Sequence, residues 1–164
     1  MSETQPGAAG AWNATAAVAA GPAEGVSYAG FWIRAIAWII DAIALGILTS
    51  ALAPAFGTGP IIGVADGRQF QIDYAANAIG GLIGLVYWVG LWSWKGQTLG
   101  MMPFGLWVVR VDNGERVDVV TGFLRYVGLI ISFVVILLGV IWVAFDSRKQ
   151  GWHDKLAKTL VVRR

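Results

Sequence analysis

The chain has no cysteine and a single histidine among its 164 residues. Without cysteine there is no disulfide, no thiolate metal ligand and no thiol nucleophile. With His153 alone, a histidine-built metal cage within one chain is excluded as well. Charge is scarce too: Asp, Glu, Lys and Arg make up 13% of the residues, against about a quarter in ordinary soluble domains. A water-facing shell needs more polar cover than that. No set of nucleophile, base and metal ligands for covalent chemistry is legible, so the expectation is a protein that is not an enzyme and needs no cofactor.

What is present is apolar. Hydrophobic residues make up 57% of the chain, nine of them tryptophan, and the mean hydropathy is +0.64. This composition implies a mainly α-helical integral membrane protein, whose length allows three or four membrane segments. The net charge is only +2, yet six of the twelve basic residues fall in the last eighteen positions: Arg148, Lys149, Lys155, Lys158, Arg163 and Arg164. Beside so apolar a body, such a tail suits anionic lipid headgroups better than nucleic acid.

Along the chain, residues 1–27 are rich in Ala and Gly, contain no basic residue and lack the compact apolar core of a secretory signal. They read as a disordered tail. The first membrane segment runs from about Phe31 to Ala53, before Pro54. Residues 54–73, with two prolines and four glycines, read as a loop. Tyr74–Trp94 is twenty-one residues without a charge, enough to cross a hydrocarbon core of ~30 Å at ~1.5 Å per residue. Gly80 and Gly84 offer small residues for close helix packing there. The next stretch has β-branched runs on either side of Asp112-Asn113-Gly114-Glu115, which predicts a small extramembrane hairpin with strands near 105–111 and 116–120. Thr121 is then the expected cap of the following helix.

A third apolar stretch, 126–145, raises a conflict over topology. Lys95, Arg110 and Arg116 favour the cytoplasm for 95–121, and hence for the amino terminus. A simple third crossing would then put the six-fold basic tail outside. The expectation is therefore a bent or re-entrant third segment, with Gly128 and Gly139 allowing the bend. Beyond it, Trp152, Leu156 and Leu160 recur every four residues, the spacing of an amphipathic helix lying on the membrane surface.

Two charges interrupt the first segment. Arg34 and Asp41 are seven residues apart, about 20° short of two turns and so on nearly one face. Arg34 is near enough to the end to snorkel to the interface; the short Asp41 is not. An ionised aspartate facing lipid there costs about 3 kcal/mol, so Asp41 needs a proton, a bound cation or a protein partner. Arg125, Lys155 and Asn77 are the candidate partners, with Tyr87 and Ser132 as further neutral donors. The alternatives are a proton- or ion-handling carboxylate and a polar pair that locks helices together. GQTLG at 96–100 lacks the GxxxxGK[ST] pattern of a P-loop and reads as a tight turn. Adjacent residues on a helix point apart, so His153 and Asp154 do not read as a catalytic dyad.

The opening YAGFWIRAIAWIIDAIAL, the block GQTLGMMPFGLWVVRVDNGERVDVVTGFLRY and the ending FDSRKQGWHDKLAKTLVV together resemble the RDD family of small bacterial membrane proteins, named for one arginine and two aspartates. The resemblance covers nearly everything after residue 28, giving a domain at 28–164. It implies Arg34 and Asp41 as the first two family residues and either Asp146 or Asp154 as the third. Met101-Met102-Pro103 departs from the basic residues that family members often carry after this loop. The family implies a multi-pass protein of the bacterial plasma membrane with a role in transport, ion antiport being proposed for some members. Three segments enclose little space, so transport would require a homo-oligomer or a partner protein; an accessory subunit of a larger membrane complex is the alternative.

Overall fold

The computed structural model describes residues 21–23, 25–57, 62–65, 69–72, 74–135 and 138–164. Most of the expected 1–27 tail lies outside the described residues. Its last residue is structured, because Ser27–Tyr28 forms a short strand, β1. Gly30 caps α1, Phe31–Leu52, which continues into a 3-10 turn at Ala53–Phe56. Within 54–73, read as a loop, β2 (Ile62–Ala65) and β3 (Gln69–Ile72) pair as an antiparallel hairpin. The long helix α2, Tyr74–Trp94, follows.

By length and composition Phe31–Phe56 is a helical stretch apolar enough to cross a membrane. Its packing fits that setting. Among α1 residues only Ala37 and Asp41 are buried, while Trp32, Ile43 and Ile47 point outward. The buried stripe is thus small and polar and the outer surface large and apolar, the reverse of a helix in a water-soluble core.

The expected hairpin at 105–111 and 116–120 does not form. β4, Leu106–Arg110, pairs along its length with β5, Thr159–Arg163, and β5 also pairs with β1, giving the order β1-β5-β4. Across the Asn113-Gly114 turn one bridge remains, Val109 with Arg116. The chain then leaves for α3, Val119–Val134, capped by Asp118, whose carboxylate accepts from the Thr121 N–H at 3.2 Å. Asp118, not Thr121, is the cap. A second β run tempts a local hairpin, but β5 brings four buried residues, Thr159 to Val162, to the same edge. Burying that strand outweighs the short-range turn.

The tail is likewise not an amphipathic surface helix. Its helix α5 is five residues, Trp152–Leu156, with His153 and Asp154 buried, and Leu160 belongs to β5. The strands alternate faces as the pleat requires. Leu106, Val108 and Val161 join Trp88 and Trp92 of α2 in one cluster, while Val109, Leu160 and Val162 form a second cluster with Tyr28 and Trp107.

The third apolar stretch is bent. After α3, α4 (Leu138–Ile141) and a 3-10 turn through Ala144 run at 113° to it. Gly139 sits where the chain folds back on itself: a β-carbon there would lie 2.5 Å from Ser132 Oγ. Gly128 has another role, packing under α5 against the His153 backbone. One sheet therefore gathers 27–28, 106–110 and 159–163 at a single end of the helices, so the basic 95–118 region and the basic tail lie side by side.

Leu160 is fully buried and Leu156 is 56% exposed. An amphipathic surface helix would treat them alike. We expect Leu160→Ala to destabilise by ~2–5 kcal/mol and Leu156→Ala by ~0.5 kcal/mol or less, measured by denaturant unfolding in detergent.

Candidate functional site

Asp41 and Arg34 lead to two separate polar nests. Asp41, 1% exposed, accepts three hydrogen bonds. Tyr87 Oη and the Gly100 N–H each donate to Oδ1 at 2.6 Å, and Thr98 Oγ1 donates to Oδ2 at 2.5 Å. Tyr87 Oη in turn accepts from the Leu99 N–H at 3.3 Å. Both carboxyl oxygens are thus paired by fixed donors of the protein.

The loop that follows α2 supplies two of the three donors. Helix α1 and the loop approach so closely that a β-carbon at Gly100 would lie 2.0 Å from the Ala37 carbonyl oxygen and 2.9 Å from Asp41 Cγ. Only glycine brings its N–H to the carboxylate there. GQTLG is thus more than a turn. Thr98 and Gly100 were missed because their sequence signal, a threonine between glycines, is common in loops of every kind.

The expected charged partners go elsewhere. Arg125 sits on α3 beside Asp154, and Lys155 binds Asp146 at 2.5 Å. Asn77, exposed on α2, lies ten residues before Tyr87, about 15 Å along the helix. Ser132 Oγ donates to the Gly128 carbonyl. Tyr87, one of the neutral donors expected, is hydrogen-bonded to Asp41.

Asp154 is the second nest. Arg34 does not snorkel: its Nη2 donates to Asp154 Oδ2 at 2.6 Å and its Nη1 to the Lys149 carbonyl at 2.7 Å. Arg125 Nη1 pairs with Asp154 Oδ1 and donates to Thr159 Oγ1 at 2.6 Å. The Gly151 N–H donates to Asp154 Oδ2 at 2.9 Å, closing the first turn of α5. Local structure explains the meeting. Pairing of β1 with β5 fixes where α1 starts, placing Arg34 in its first turn, and the Asp118 cap sets the phase that turns Arg125 inward. Asp146 and Asp154, indistinguishable in sequence, separate here: Asp154 is fully buried against two arginines, whereas Asp146 is partly buried and pairs with Lys155, also accepting from the Arg148 and Gln150 N–H groups.

Burial works to raise the Asp154 carboxyl, but Arg125 and Arg34 outweigh it and hold it well below the usual carboxylate range. For Asp146 too, burial is opposed and overcome by Lys155 and the backbone N–H groups. Burial dominates at His153, with the two arginines adding to it, and its pKa is pushed down to about 3 despite Asp154. Its Nε2 lies 3.4 Å from Arg34 Nη2. Arginine can only donate, so Nε2 is the acceptor and the proton sits on Nδ1.

Between the nests lies a cavity of about 150 Å³ lined by Arg34, Asp41, Arg125 and His153 among aromatic and aliphatic side chains. Arg125 also rests over the Trp92 ring, 4.9 Å from its centroid. Among the described residues no group of His, Asp and Glu is arranged to hold a metal ion. The arrangement holds charged groups in a largely apolar interior beside a space for a small ligand.

His153 gives a pH signature. The unfolded chain takes up a proton near pH 6.5 and the folded chain resists it until about pH 3. Its contribution is therefore fully present above pH 6.5 and is lost as pH falls towards 3, with a slope approaching ~1.4 kcal/mol per pH unit. Unfolding free energy measured in detergent between pH 7 and 4 is expected to show this slope. The His153→Gln variant is expected to lack it.

The family model described as the RDD family matches residues 28–158. Two Bacillus subtilis (strain 168) proteins are similar. Uncharacterized protein YxaI is 34% identical over 150 residues, which cover 82% of this chain and 96% of its own length. Uncharacterized membrane protein YteJ is 34% identical over 137 residues, covering 83% and 81%. Uncharacterized protein RP437 of Rickettsia prowazekii (strain Madrid E) is 26% identical over 77 residues, 47% of this chain and 42% of that one. No solved structure matches. With the family pattern running from Tyr28 through the segment that holds Asp154, the chain belongs to the RDD family of membrane proteins.

Proposed function

We propose that this protein is a non-enzymatic, multi-pass protein of the bacterial plasma membrane that moves a proton or small cation by way of Asp41. In this reading α1 and α2 cross the bilayer, α3 and α4 form a re-entrant segment, and the sheet lies in the cytoplasm. The shared sheet supports that topology, because it holds 106–110 against the basic tail, so that both can lie on the side the positive-inside tendency favours. Lys155, Lys158, Arg163 and Arg164 are exposed there, in reach of anionic headgroups.

The observation that carries the transport reading is the geometry at Asp41. Oδ1 is fixed by Gly100 N–H and Tyr87, whereas Oδ2 is held by one rotatable hydroxyl, Thr98. When a proton arrives on Oδ2, the Thr98 hydroxyl oxygen can accept from it, so both carboxyl oxygens keep a partner in either charge state. A carboxylate at a cavity wall that is satisfied both ways is suited to cycling. Three segments enclose little space, so a homo-oligomer would complete the path. The second reading, an accessory subunit, is favoured by the Gly100 contact, which makes Asp41 a clasp between α1 and the 98–100 loop.

Asp41→Asn separates the two. Its amide oxygen can replace Oδ1 and its NH2 can donate to Thr98, so folding is kept while titration is removed. The transport reading expects proton- or cation-dependent flux from the wild type in proteoliposomes, falling to the empty-vesicle rate in Asp41→Asn with thermal stability unchanged. Flux that survives the substitution contradicts it. A silent wild type that copurifies with a stoichiometric membrane partner favours the accessory reading.

A further inference from the structure

We propose that the cavity between α1, α2 and α3 binds a small monocarboxylate with an apolar body. Three buried N–H groups point to it. Trp92 Nε1, Arg125 Nε and His153 Nδ1 are buried without a hydrogen-bond partner among the described residues, and all three residues line this cavity. Trp92 and Arg125 are each 2% exposed, and the guanidinium rests on the indole ring, so two of the donors are neighbours. Indole and guanidinium nitrogens can only donate, and the Arg34 contact leaves the His153 proton on Nδ1. Buried donors are almost always paired. What pairs with these must bring acceptors.

Charge gives the same answer independently. Arg34 and Arg125 share one carboxylate, Asp154, and His153 is neutral at ordinary pH. The nest therefore holds one positive charge in excess. Asp41 does not neutralise it at contact: its oxygens are taken by Tyr87, Thr98 and Gly100, and it sits seven residues further along α1, about 10 Å. An anion placed against Arg125 and Trp92 would complete the charge and the hydrogen bonds together.

The remaining walls select the anion. Phe31, Trp38, Trp88, Leu129, Phe133 and Val143 present apolar surface. A halide would match the charge and leave that surface uncovered. Phosphate would bring more charge and more acceptors than three donors can satisfy. A cavity of about 150 Å³ is also the size that accepts a benzene ring. The carboxylate would lie at Arg125 and Trp92, and the body among Trp38, Leu129 and Phe133. This inference goes beyond proton or cation movement at Asp41 and does not require it.

Benzoate is the probe, titrated calorimetrically into the full chain in detergent micelles, with benzyl alcohol and chloride as controls. Saturable binding of one benzoate per chain is expected, with only linear partitioning of benzyl alcohol and no saturation by chloride. Trp92→Phe keeps the ring and removes the N–H, and should bind about tenfold more weakly, the effect of losing one hydrogen bond to a charged group. Asp41→Asn should bind benzoate at least as well as wild type, even where it abolishes flux. The proposal is overturned by no saturable benzoate binding to the folded wild type, or by equal affinity in Trp92→Phe. Saturation by chloride alone, or loss of binding in Asp41→Asn, overturns it too.

Discussion

One carboxylate, that of Asp154, is shared by arginines from two different helices. Arg34 comes from the first turn of α1, Arg125 from the buried face of α3, and Asp154 from the short helix beneath them. A buried ion pair broken on one side leaves an uncompensated charge, at a cost of about 3–5 kcal/mol. The positions of α1, α3 and the carboxy-terminal segment are therefore coupled. Thr159, which also accepts from Arg125, carries the coupling into β5, and β5 holds β1 and β4. Helices and sheet share one polar junction.

That junction gives the cavity its character. With the arginines held towards Asp154 at one end and Asp41 sealed by the 98–100 loop at the other, the space between is walled by aromatic rings yet bounded by charge. Neither nest alone would make a site. The outward surface of α1, carrying Trp32, Ile43 and Ile47, suits contact with acyl chains, while Asp41 faces inward. Transport at Asp41 and anion binding at Arg125 would be two uses of one interior.

Much of the helical framework was legible because long apolar runs with few charges announce helices, and the rare charges within them must find protein partners. Phe31 to Ala53 and Tyr74 to Trp94 stood out for that reason, and the topological conflict itself pointed to a bend in the third segment. The sheet was not legible. Val108 and Val161 are fifty-three residues apart, and no local pattern announces a pairing over that distance, whereas Asn113-Gly114 advertises a hairpin of which the fold keeps only the turn and one bridge. Leu156 and Leu160 shared a helical spacing by coincidence, one exposed on α5 and the other buried in β5. At the site, Arg34 and Asp41 were conspicuous because charge is rare in an apolar helix. Their partners were not, since Thr98 and Gly100 are ordinary loop residues, and Asp154 among several tail charges became distinct only through burial.

The measurement that bears most directly on the shared carboxylate is a double-mutant cycle between Asp154→Asn and Arg125→Gln, read as unfolding free energy in detergent. If Asp154 ties the helices to the sheet, the two substitutions are strongly non-additive, with a coupling above about 1 kcal/mol. The double variant is then little worse than Asp154→Asn alone. Additivity to within about 0.5 kcal/mol would contradict the account, because the two side chains would then contribute independently.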